Sequence, residues 1–361
     1  MITTDISVII VSYNCCDVLQ LALDSVHNAI EGLNADVYVV DNNSTDETVD
    51  ILTERYKWVN LLVNNVNVGF GRANNMAMVR CKGRIVLLLN PDTVIPRNFL
   101  RSLIAYFDEN QNSGAVGVQM TNSSGVFLKE SKRGYTSISN SLFKLTGLWR
   151  LAPHSERLNG YYLGHEDRNS ECVAPVLSGA CMAFPHTLMK TTGLFDEAYF
   201  MYSEDIDLSW RMHIASAQGN RYLGYLNMVH FKGQSTPQTI RYVYYFYASM
   251  VTFVKKNEFK HHNSIFNYFI ILGIMVAFLL AVVRLYVRRF IKIFVRKRLI
   301  VKELRVSDVA DIPHDAQSHY NVILFDVDSD IEKVIKYMQS HKKQFHFGFY
   351  NKENVSYIGR E

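Results

Sequence analysis

The hydrophobic pattern in the first half of the chain alternates between short buried segments and amphipathic ones. Residues 6–11 form a run of mostly β-branched residues that predicts a buried strand, and apolar residues then recur every four positions from Val18 to Ile30, which predicts a helix. Four further strand-like segments follow at 37–41, 61–63, 85–89 and 115–118, with helical segments between them. This alternation predicts an α/β fold with a doubly wound, mainly parallel sheet.

Carboxylates stand where two of these predicted strands end. Asp41 ends one strand, and the apolar run 85–89 stops at Asn90, Pro91 and Asp92. Ligands bind at the carboxyl ends of the strands in open α/β sheets, and carboxylates there can hold a divalent ion against phosphate oxygens. A Pro-Asp turn without a ligand is the alternative for Asp92. The pattern therefore predicts a site at which Asp41 and Asp92 meet.

Helix boundaries and loops are suggested by short local motifs. Ser44 and Glu47 have the spacing of a capping box, Gly83 is placed to end the helix that runs through residues 73–81, and Pro96 can open the next helix. The loop 64–71 is rich in asparagine and glycine, so it is either a turn or a ligand contact.

The pattern becomes irregular over residues 121–172, which is too long for a simple connection and suggests an insertion that faces the acceptor of a reaction. Strand character returns at 173–184 and at 222–231, the latter ending near His230, a residue that is more often structural than a ligand. Between them, acidic residues 204, 205 and 207 begin a helix; they either stabilise its dipole or include a carboxylate base.

Seven segments in this order resemble the family 2 inverting glycosyltransferases of GT-A fold, most closely the bacterial rhamnosyltransferase-like branch that builds surface polysaccharides. The resemblance covers roughly residues 5–260. The segments are residues 11–14, 39–46, 67–75, 88–93, 193–197, 200–211 and 230–235.

The resemblance implies roles for individual residues at a nucleotide-sugar site. Tyr13 and Asp41 would contact the pyrimidine and ribose, and Asn74 would lie near the diphosphate and sugar. The remaining expected donor contacts are Asn67, Gly69, Asp92 and Arg211. Asp92 matches the last carboxylate of the Asp-x-Asp metal motif, whose first acidic position is Asn90 here, and His230 matches a histidine that completes the coordination of Mn2+ or Mg2+.

The same resemblance assigns the catalytic base to Asp205, with Glu204 as the fallback. Such a base is required because an acceptor hydroxyl must lose its proton as it attacks the anomeric carbon opposite the departing nucleoside diphosphate. Asp207 is expected to anchor the helix. Arg211 either faces the diphosphate or is an exposed structural arginine.

The chain is expected to associate with a membrane through residues 261–302. Residues 265–283 are apolar apart from Asn267 and long enough to span a bilayer, and a basic amphipathic stretch with eight lysines and arginines follows between residues 284 and 302. The amino terminus has no export signal, so residues 1–260 are expected in the cytosol, at the inner face of the bacterial inner membrane. A single span would then place the basic stretch outside, against the positive-inside rule. An in-plane or re-entrant segment is therefore favoured over a single span and over a buried core helix.

Residues 303–361 are predicted to form a small α/β module with strands near 322–326 and 345–350 and a helix capped by Ser329 and Glu332. Asp326, Asp328 and the residues around them fit neither a phosphatase nor a calcium loop. A partner or homo-oligomer contact is the hypothesis for this module.

Taken together, the sequence predicts a GT-A domain over 1–260, a membrane-associated segment and a tail module. The expected function is transfer of a sugar, by analogy rhamnose, from a nucleotide diphosphate donor to a lipid-linked saccharide. A silent sugar-binding relative and a sugar-1-phosphate nucleotidyltransferase are the alternatives. No nucleic-acid partner is expected. The five cysteines, in apolar settings without metal-ligand spacing, are expected to be reduced.

Overall fold

The architecture was determined from a computed structural model that describes residues 4–135, 137–232, 239–257, 265–294, 302–313, 315–342, 344–351 and 356–358. Of the sequence motifs, residues 233–235 lie outside these ranges, as does the basic stretch from 295 to 301. The strands are β1 Ile6–Ser12, β2 Ala35–Asp41, β3 Asn60–Val63, β4 Ile85–Leu89, β5 Thr93–Val94, β6 Val116–Thr121, β7 Lys132–Arg133, β8 Glu171–Val173, β9 Val176–Leu177, β10 Cys181–Pro185, β11 Arg221–His230, β12 Glu303–Val306, β13 Val322–Asp326, β14 His346–Tyr350 and β15 Ser356–Ile358. The helices are α1 Cys16–Ile30, α2 Thr48–Arg55, α3 Phe70–Met78, α4 Phe99–Glu109, α5 Ile138–Thr146, α6 Glu156–Asn159, α7 His186–Thr192, α8 Glu204–Ala215, α9 Ile240–Asn257, α10 Ile265–Phe294, α11 Ala316–His319 and α12 Ile331–Ser340.

The main sheet has the strand order β3-β2-β1-β4-β10-β6-β11-β5, with β8 on the side of β11. Strands β1 to β4 are parallel, as are β6 and β11, whereas β10 runs antiparallel to both of its neighbours. Helices cover both faces of the sheet. The predicted α/β fold with a doubly wound, mainly parallel sheet is confirmed.

The core follows from the alternation of side chains along the strands. In β1, Ile6, Val8 and Ile10 belong to one buried hydrophobic cluster, whereas Ile9 and Val11 belong to a second cluster. Successive side chains of a strand point to opposite faces, so a strand buried on both faces needs an unbroken apolar run. This is why the run of β-branched residues was a reliable strand signal.

Two of the predicted helix boundaries are wrong. Helix α2 begins at Thr48, and Ser44 does not cap it; the Ser44 hydroxyl accepts a bond from the Asn14 amide instead. Helix α3 ends at Met78, before Gly83. A Cβ at Gly83 would lie 2.3 Å from the Ser7 amide nitrogen, so this glycine permits the close approach of β1 and does not end the helix.

The tail strands β12-β13-β14-β15 form a separate sheet, yet the tail module shares the core of the main domain. Phe325, Phe347 and Phe349 belong to the same hydrophobic cluster as β1 and α1. Polar contacts also join the two parts: the Phe347 amide donates to the Ser123 carbonyl over 2.8 Å, and the Asn351 amide donates to Asp24 over 2.8 Å. The module is therefore built into the catalytic domain.

Helix α12 shows one further departure from prediction. Its N-cap is Asp330, whose side chain accepts a bond from the Lys333 amide over 3.2 Å, and the predicted capping box of Ser329 and Glu332 is wrong. The helix packs its apolar face, with Val334, Ile335 and Met338 buried, toward the core.

Helix α10 continues well beyond the apolar segment seen in the sequence and packs along α9, where Phe278 meets Tyr247 with ring centroids 5.9 Å apart. It is the one helix in the described part of the chain that is long and apolar enough to cross a membrane. Only 6% of its most apolar stretch, within Asn267–Val287, is buried, so the alternative of a buried core helix is excluded.

Candidate active site

The predicted carboxylates lie along one edge of the sheet, which we term the carboxyl edge and which is formed by the carboxyl ends of β1, β2 and β4. Strand register places Ser12 beside Asp41 and Ile10 beside Leu89, so β1, β2 and β4 end within a few residues of one another. Each strand is followed by a polar turn because its apolar run stops there. Tyr13, which follows β1, and Asp92, in the turn after β4, therefore lie at the same edge of the sheet as Asp41.

Asp41 is fully buried at this edge. One of its oxygens accepts a bond from the Ser44 amide over 2.9 Å, while Oδ1 has no hydrogen-bond partner among the residues that the structure describes. Buried acceptors in native proteins nearly always have a partner, so this oxygen can accept a bond from a bound molecule. Tyr13 comes directly after the buried strand β1 and is 39% exposed, which leaves its ring available for contact.

The asparagine-rich loop is held together by its own amides. The Asn67 side-chain oxygen accepts bonds from the Asn42 amide over 2.9 Å and from the Gly69 backbone over 3.0 Å. Gly69 has a φ of +90°, and a Cβ there would lie 2.3 Å from the Phe200 carbonyl. Asn74 is buried and donates to the Phe70 carbonyl over 2.9 Å. In the described structure Asn67, Gly69 and Asn74 thus shape the loop and the start of α3.

Asp92 and His230 form a buried pair at the other side of the carboxyl edge. His230 Nε2 lies 3.2 Å from Asp92 Oδ1, and strand β5 pairs with the end of β11 so that His230 stands opposite Thr93. The Phe231 amide also donates to the Asp92 carbonyl over 2.9 Å. The sequence expectation that Asp92 and His230 come together is met, although 138 positions separate them in the chain.

This pair has the chemistry and spacing of two ligands of one divalent ion. Carboxylate oxygen and imidazole nitrogen are common ligands of Mn2+, and adjacent ligands of an octahedral ion at about 2.1 Å lie about 3 Å apart. Within the described residues no group of three or more histidine, cysteine, aspartate and glutamate side chains could hold a metal. An ion here would therefore need further ligands from water or from a bound phosphate.

At the start of α8, two neighbouring carboxyl groups, those of Glu204 and Asp205, lie in different environments. Tyr202 and Ser203 both have positive φ, at +69° and +65°, and this sharp turn leads directly into α8. Glu204 is buried, and its Oε2 has no hydrogen-bond partner in the described part of the chain. Burial, followed by the charge of Asp205, raises the pKa of Glu204 well above its ordinary value. This shift favours the protonated form of Glu204, which makes Glu204 the less suitable of the two residues for the role of base.

Asp205 instead lies where donors surround its carboxylate. Its Oδ2 accepts bonds from Arg133 Nη2 over 2.6 Å and from the Gly179 amide over 3.2 Å. The carbonyl of Ala180, the residue after Gly179, accepts a bond from the Asn90 amide over 3.0 Å. Asp205 therefore lies close to the turn that carries Asp92. The structure thereby brings the acidic helix start to the carboxyl edge.

The contacts of Arg211 do not correspond to the role at a diphosphate that was predicted for it. Its guanidinium donates to Asp207 Oδ2 over 2.9 and 2.7 Å and to the Leu194 carbonyl over 2.9 Å, and it also bonds the Thr192 carbonyl. Its side chain is 28% exposed, so it is not an exposed structural arginine either. Arg211 and Asp207 instead fasten α8 to the end of α7, which agrees with the anchoring role predicted for Asp207.

Arg133 is the site residue that sequence reasoning missed. It comes from strand β7, inside the irregular segment 121–172, and pairs with Asp205 across 72 positions. Its only signal in the sequence is a basic pair, Lys132 and Arg133, within an otherwise mixed segment. A pairing over this distance cannot be inferred from local spacing.

The sequence is similar to that of known glycosyltransferases. The family model described as Glycosyl transferase family 2 matches residues 7–191. N-acetylglucosaminyl-diphospho-decaprenol L-rhamnosyltransferase of Mycobacterium tuberculosis is 27% identical over 251 residues, which cover 65% of this chain and 78% of that protein. The low-salt glycan biosynthesis hexosyltransferase Agl10 of Haloferax volcanii is 25% identical over 269 residues, covering 73% and 77% of the two chains. Among solved structures, residues 1–349 of Staphylococcus aureus TarS superpose with a TM-score of 0.48 at 17% identity, covering 76% of this chain and 80% of that one.

Proposed function

The chain belongs to glycosyl transferase family 2 and is a hexosyltransferase of GT-A fold, and we propose that it moves a sugar from a nucleoside diphosphate to a lipid-linked saccharide. The observation that supports this most directly is the environment of the two acidic residues at the start of α8. Asp205 accepts bonds from Arg133 and from the Gly179 amide next to the carboxyl edge, whereas Glu204 is buried and its pKa is raised by burial. A carboxylate base next to a diphosphate-binding edge is what inverting sugar transfer requires.

In this proposal Asp205 accepts the proton of the attacking hydroxyl. The hydroxyl oxygen forms a bond to the anomeric carbon while the bond from that carbon to the diphosphate oxygen breaks on the opposite face, which inverts the configuration. The proton ends on the Asp205 carboxylate and the electron pair leaves with the nucleoside diphosphate. Asp205, not Glu204, is assigned this role because the Asp205 carboxylate is held by donors next to the carboxyl edge, whereas burial favours the protonated form of Glu204.

The donor nucleotide is proposed to lie across the carboxyl edge. Asp41 Oδ1, a buried acceptor, would accept a bond from a ribose hydroxyl or a base amide, and Tyr13 would stack on the pyrimidine. Asp92 and His230 would hold Mn2+ or Mg2+, which supplies Lewis-acid neutralisation of the leaving diphosphate. Asn67, Gly69 and Asn74 would contribute by fixing the loop beside the nucleotide, and Arg211 by fixing α8.

A lipid-linked acceptor is proposed from the relatives and from α10. The name of the Mycobacterium tuberculosis relative gives it a decaprenyl-diphosphate-linked sugar as its acceptor. In this chain α10 presents one apolar face outward, formed by Tyr268, Phe269, Leu272, Met275, Val276, Leu279, Leu280, Val283, Tyr286 and Val287. Arg284 lies among the last residues of this face, and the sequence has three more basic residues before the helix ends at Phe294. An apolar face followed along the chain by basic residues fits the surface of an anionic bilayer.

The transferase reaction is tested by release of nucleoside diphosphate. Detergent-purified protein is offered UDP-, dTDP- and GDP-linked sugars with Mn2+, in the presence and absence of a bacterial membrane lipid extract as acceptor. We expect release from one donor class that requires both lipid extract and metal and stops with a chelator. Binding of a donor without any turnover would overturn the proposal in favour of a silent binding protein.

Membrane docking is tested separately by vesicle flotation. The full chain should float with vesicles that contain one third phosphatidylglycerol and remain at the bottom with phosphatidylcholine alone. The double variant Leu279→Glu with Leu280→Glu should lose flotation, because it places two charges on the exposed face of α10. Val66→Glu is the matched control, since Val66 is equally exposed but lies in a loop of the catalytic domain. Flotation of the double variant at the wild-type level would refute this docking face.

A further inference from the structure

The irregular segment 121–172 contributes a buried cation, Arg133, to the surroundings of Asp205, the proposed base. Strand β7 pairs antiparallel with β9, so that Arg133 stands opposite Val176 and Lys132 opposite Leu177. The Arg133 side chain is 9% exposed. Its Nη2 donates to Asp205 Oδ2 over 2.6 Å and to the Leu177 carbonyl over 2.5 Å. Strand β7 of the insertion thus holds the Arg133 guanidinium in contact with the Asp205 carboxylate.

A buried guanidinium requires a compensating charge, and Asp205 supplies it. Burial alone would lower the pKa of Arg133, but the neighbouring charge of Asp205, and then Tyr161, raise it above its ordinary value. Burial raises the pKa of the neighbouring Glu204, and Lys144 donates to the Tyr161 hydroxyl over 2.6 Å. Arg133 and Asp205 therefore form the ion pair of this cluster.

The contacts of Asp205 also fix the direction of its carboxylate. Arg133 and the Gly179 amide both bond to Oδ2, and the Ile206 amide bonds to Oδ1 over 2.9 Å. A Cβ at Gly179 would lie 3.1 Å from the Asp205 Cβ, so the backbone approaches the side chain closely on that side. With Oδ2 held by two donors, Oδ1 has the greater capacity to accept a further proton.

We propose that Arg133 is a positioning residue for the transfer reaction, which holds the Asp205 carboxylate through Oδ2 and aims its Oδ1 at the acceptor hydroxyl. This inference rests on the proposed role of Asp205 as base. It assigns to the insertion the task of completing the base, in addition to any contact with the acceptor. Arg133 itself does not touch the reacting atoms in this arrangement.

The alternative is that Arg133 only stabilises the insertion through the Leu177 carbonyl. Lys132 offers a matched control, because it precedes Arg133 on the same strand, is equally buried, and donates to the carbonyls of Glu166 over 2.6 Å and Asp167 over 3.3 Å. Both residues are buried cations that bind backbone carbonyls: Lys132 binds those of the insertion, and Arg133 binds that of Leu177 in β9. Only Arg133 contacts the base.

The experiment compares Arg133→Met, Arg133→Lys and Lys132→Met in the full chain. For each variant, kcat and the KM for the lipid extract are measured with the donor that turns over in the panel, and the affinities for UDP and dTDP are measured by calorimetry with Mn2+. We expect Arg133→Met to lower kcat by at least about 100-fold, with nucleotide affinity within about threefold of wild type. Arg133→Lys should recover at least about tenfold of that loss, and Lys132→Met should retain kcat within about threefold.

A double variant keeps the test decisive if Arg133→Met lowers stability. When Asp205→Asn is already present, adding Arg133→Lys should cause no further loss of kcat, because the group that it positions has gone. A wild-type kcat in Arg133→Met, an equal loss in Lys132→Met, or additive losses in the double variant would each overturn the inference. Full transfer by Asp205→Asn alone would instead show that the proposed base is wrong.

Discussion

Replacement of Phe349 by alanine is expected to destabilise the catalytic domain although residue 349 lies in the tail module. The Phe349 side chain is fully buried, with its ring centroid 6.1 Å from that of Phe231 and 6.3 Å from that of Phe325. Truncation of a buried phenylalanine costs about 3–5 kcal/mol of unfolding free energy. About 0.5–1.5 kcal/mol of this loss should come from the Phe231 contact, which is the part that crosses between the two sheets.

The assay uses the distribution of tryptophan in the chain. All three tryptophans, Trp58, Trp149 and Trp210, lie in the catalytic domain and none in the tail. Urea unfolding followed by tryptophan fluorescence therefore reports the catalytic domain alone. If the shared hydrophobic cluster makes the two parts one cooperative unit, Phe349→Ala will move this transition to lower urea concentration.

A double-mutant cycle isolates the contact between the sheets. Phe231→Ala combined with Phe349→Ala should show a coupling of about 0.5–1.5 kcal/mol. Phe345 is the matched control, because it is also buried in the tail and its ring contact is with Phe347, 5.9 Å away. Combined with Phe231→Ala, Phe345→Ala should show a coupling below about 0.5 kcal/mol. An unchanged tryptophan transition in Phe349→Ala would refute the shared core.

Three further predictions follow from contacts at the site. Gly69→Ala should reduce expression and stability far more than Gly147→Ala, although both glycines have positive φ. A Cβ at Gly69 would lie 2.3 Å from the Phe200 backbone, whereas a Cβ at Gly147 would lie 3.6 Å from the flexible side chain of Arg150. Equal melting temperatures of the two variants would contradict this. His230→Gln should raise the Mn2+ concentration needed for half-maximal UDP binding by at least about tenfold, as titration calorimetry can measure, and an unchanged requirement would remove His230 from the metal site. Arg211→Met should cost about 1.5–3 kcal/mol of unfolding free energy in urea with UDP affinity unchanged, because its bonds go to Asp207 and to backbone; a selective loss of UDP affinity would restore the predicted diphosphate contact.

The parallel half of the fold was predictable because its signals are local. Strands β1, β2 and β4 are buried on both faces, so each needs an unbroken apolar run, and each ends in polar residues that can only lie at the edge. Asp41 and Asp92 were found in this way. The helix caps were less predictable because several serines and aspartates compete for each cap, and at α12 the structure uses Asp330 in place of Ser329.

The remaining parts depend on contacts between distant segments. Arg133 and Asp205 meet only because β7 pairs with β9, and each of these strands has two residues, too few for a periodic pattern. The position of the tail module could not be predicted for the same reason. The sequence shows that α12 is amphipathic, but it does not show that the apolar face of α12 packs against the catalytic domain. Asp205 could be singled out in the sequence only through the family resemblance, and its distinction from Glu204 required knowledge of burial.

The most direct test of the proposed function is the transfer rate of Asp205→Asn beside that of Glu204→Gln, at saturating donor and lipid acceptor. We predict that Asp205→Asn loses about 100- to 10,000-fold in kcat, the usual contribution of a general base, while UDP affinity is retained. Glu204→Gln should keep kcat within about tenfold, because burial favours the uncharged form of Glu204, which glutamine resembles in size and charge. Transfer that survives in Asp205→Asn and is lost in Glu204→Gln would contradict the assignment of the base.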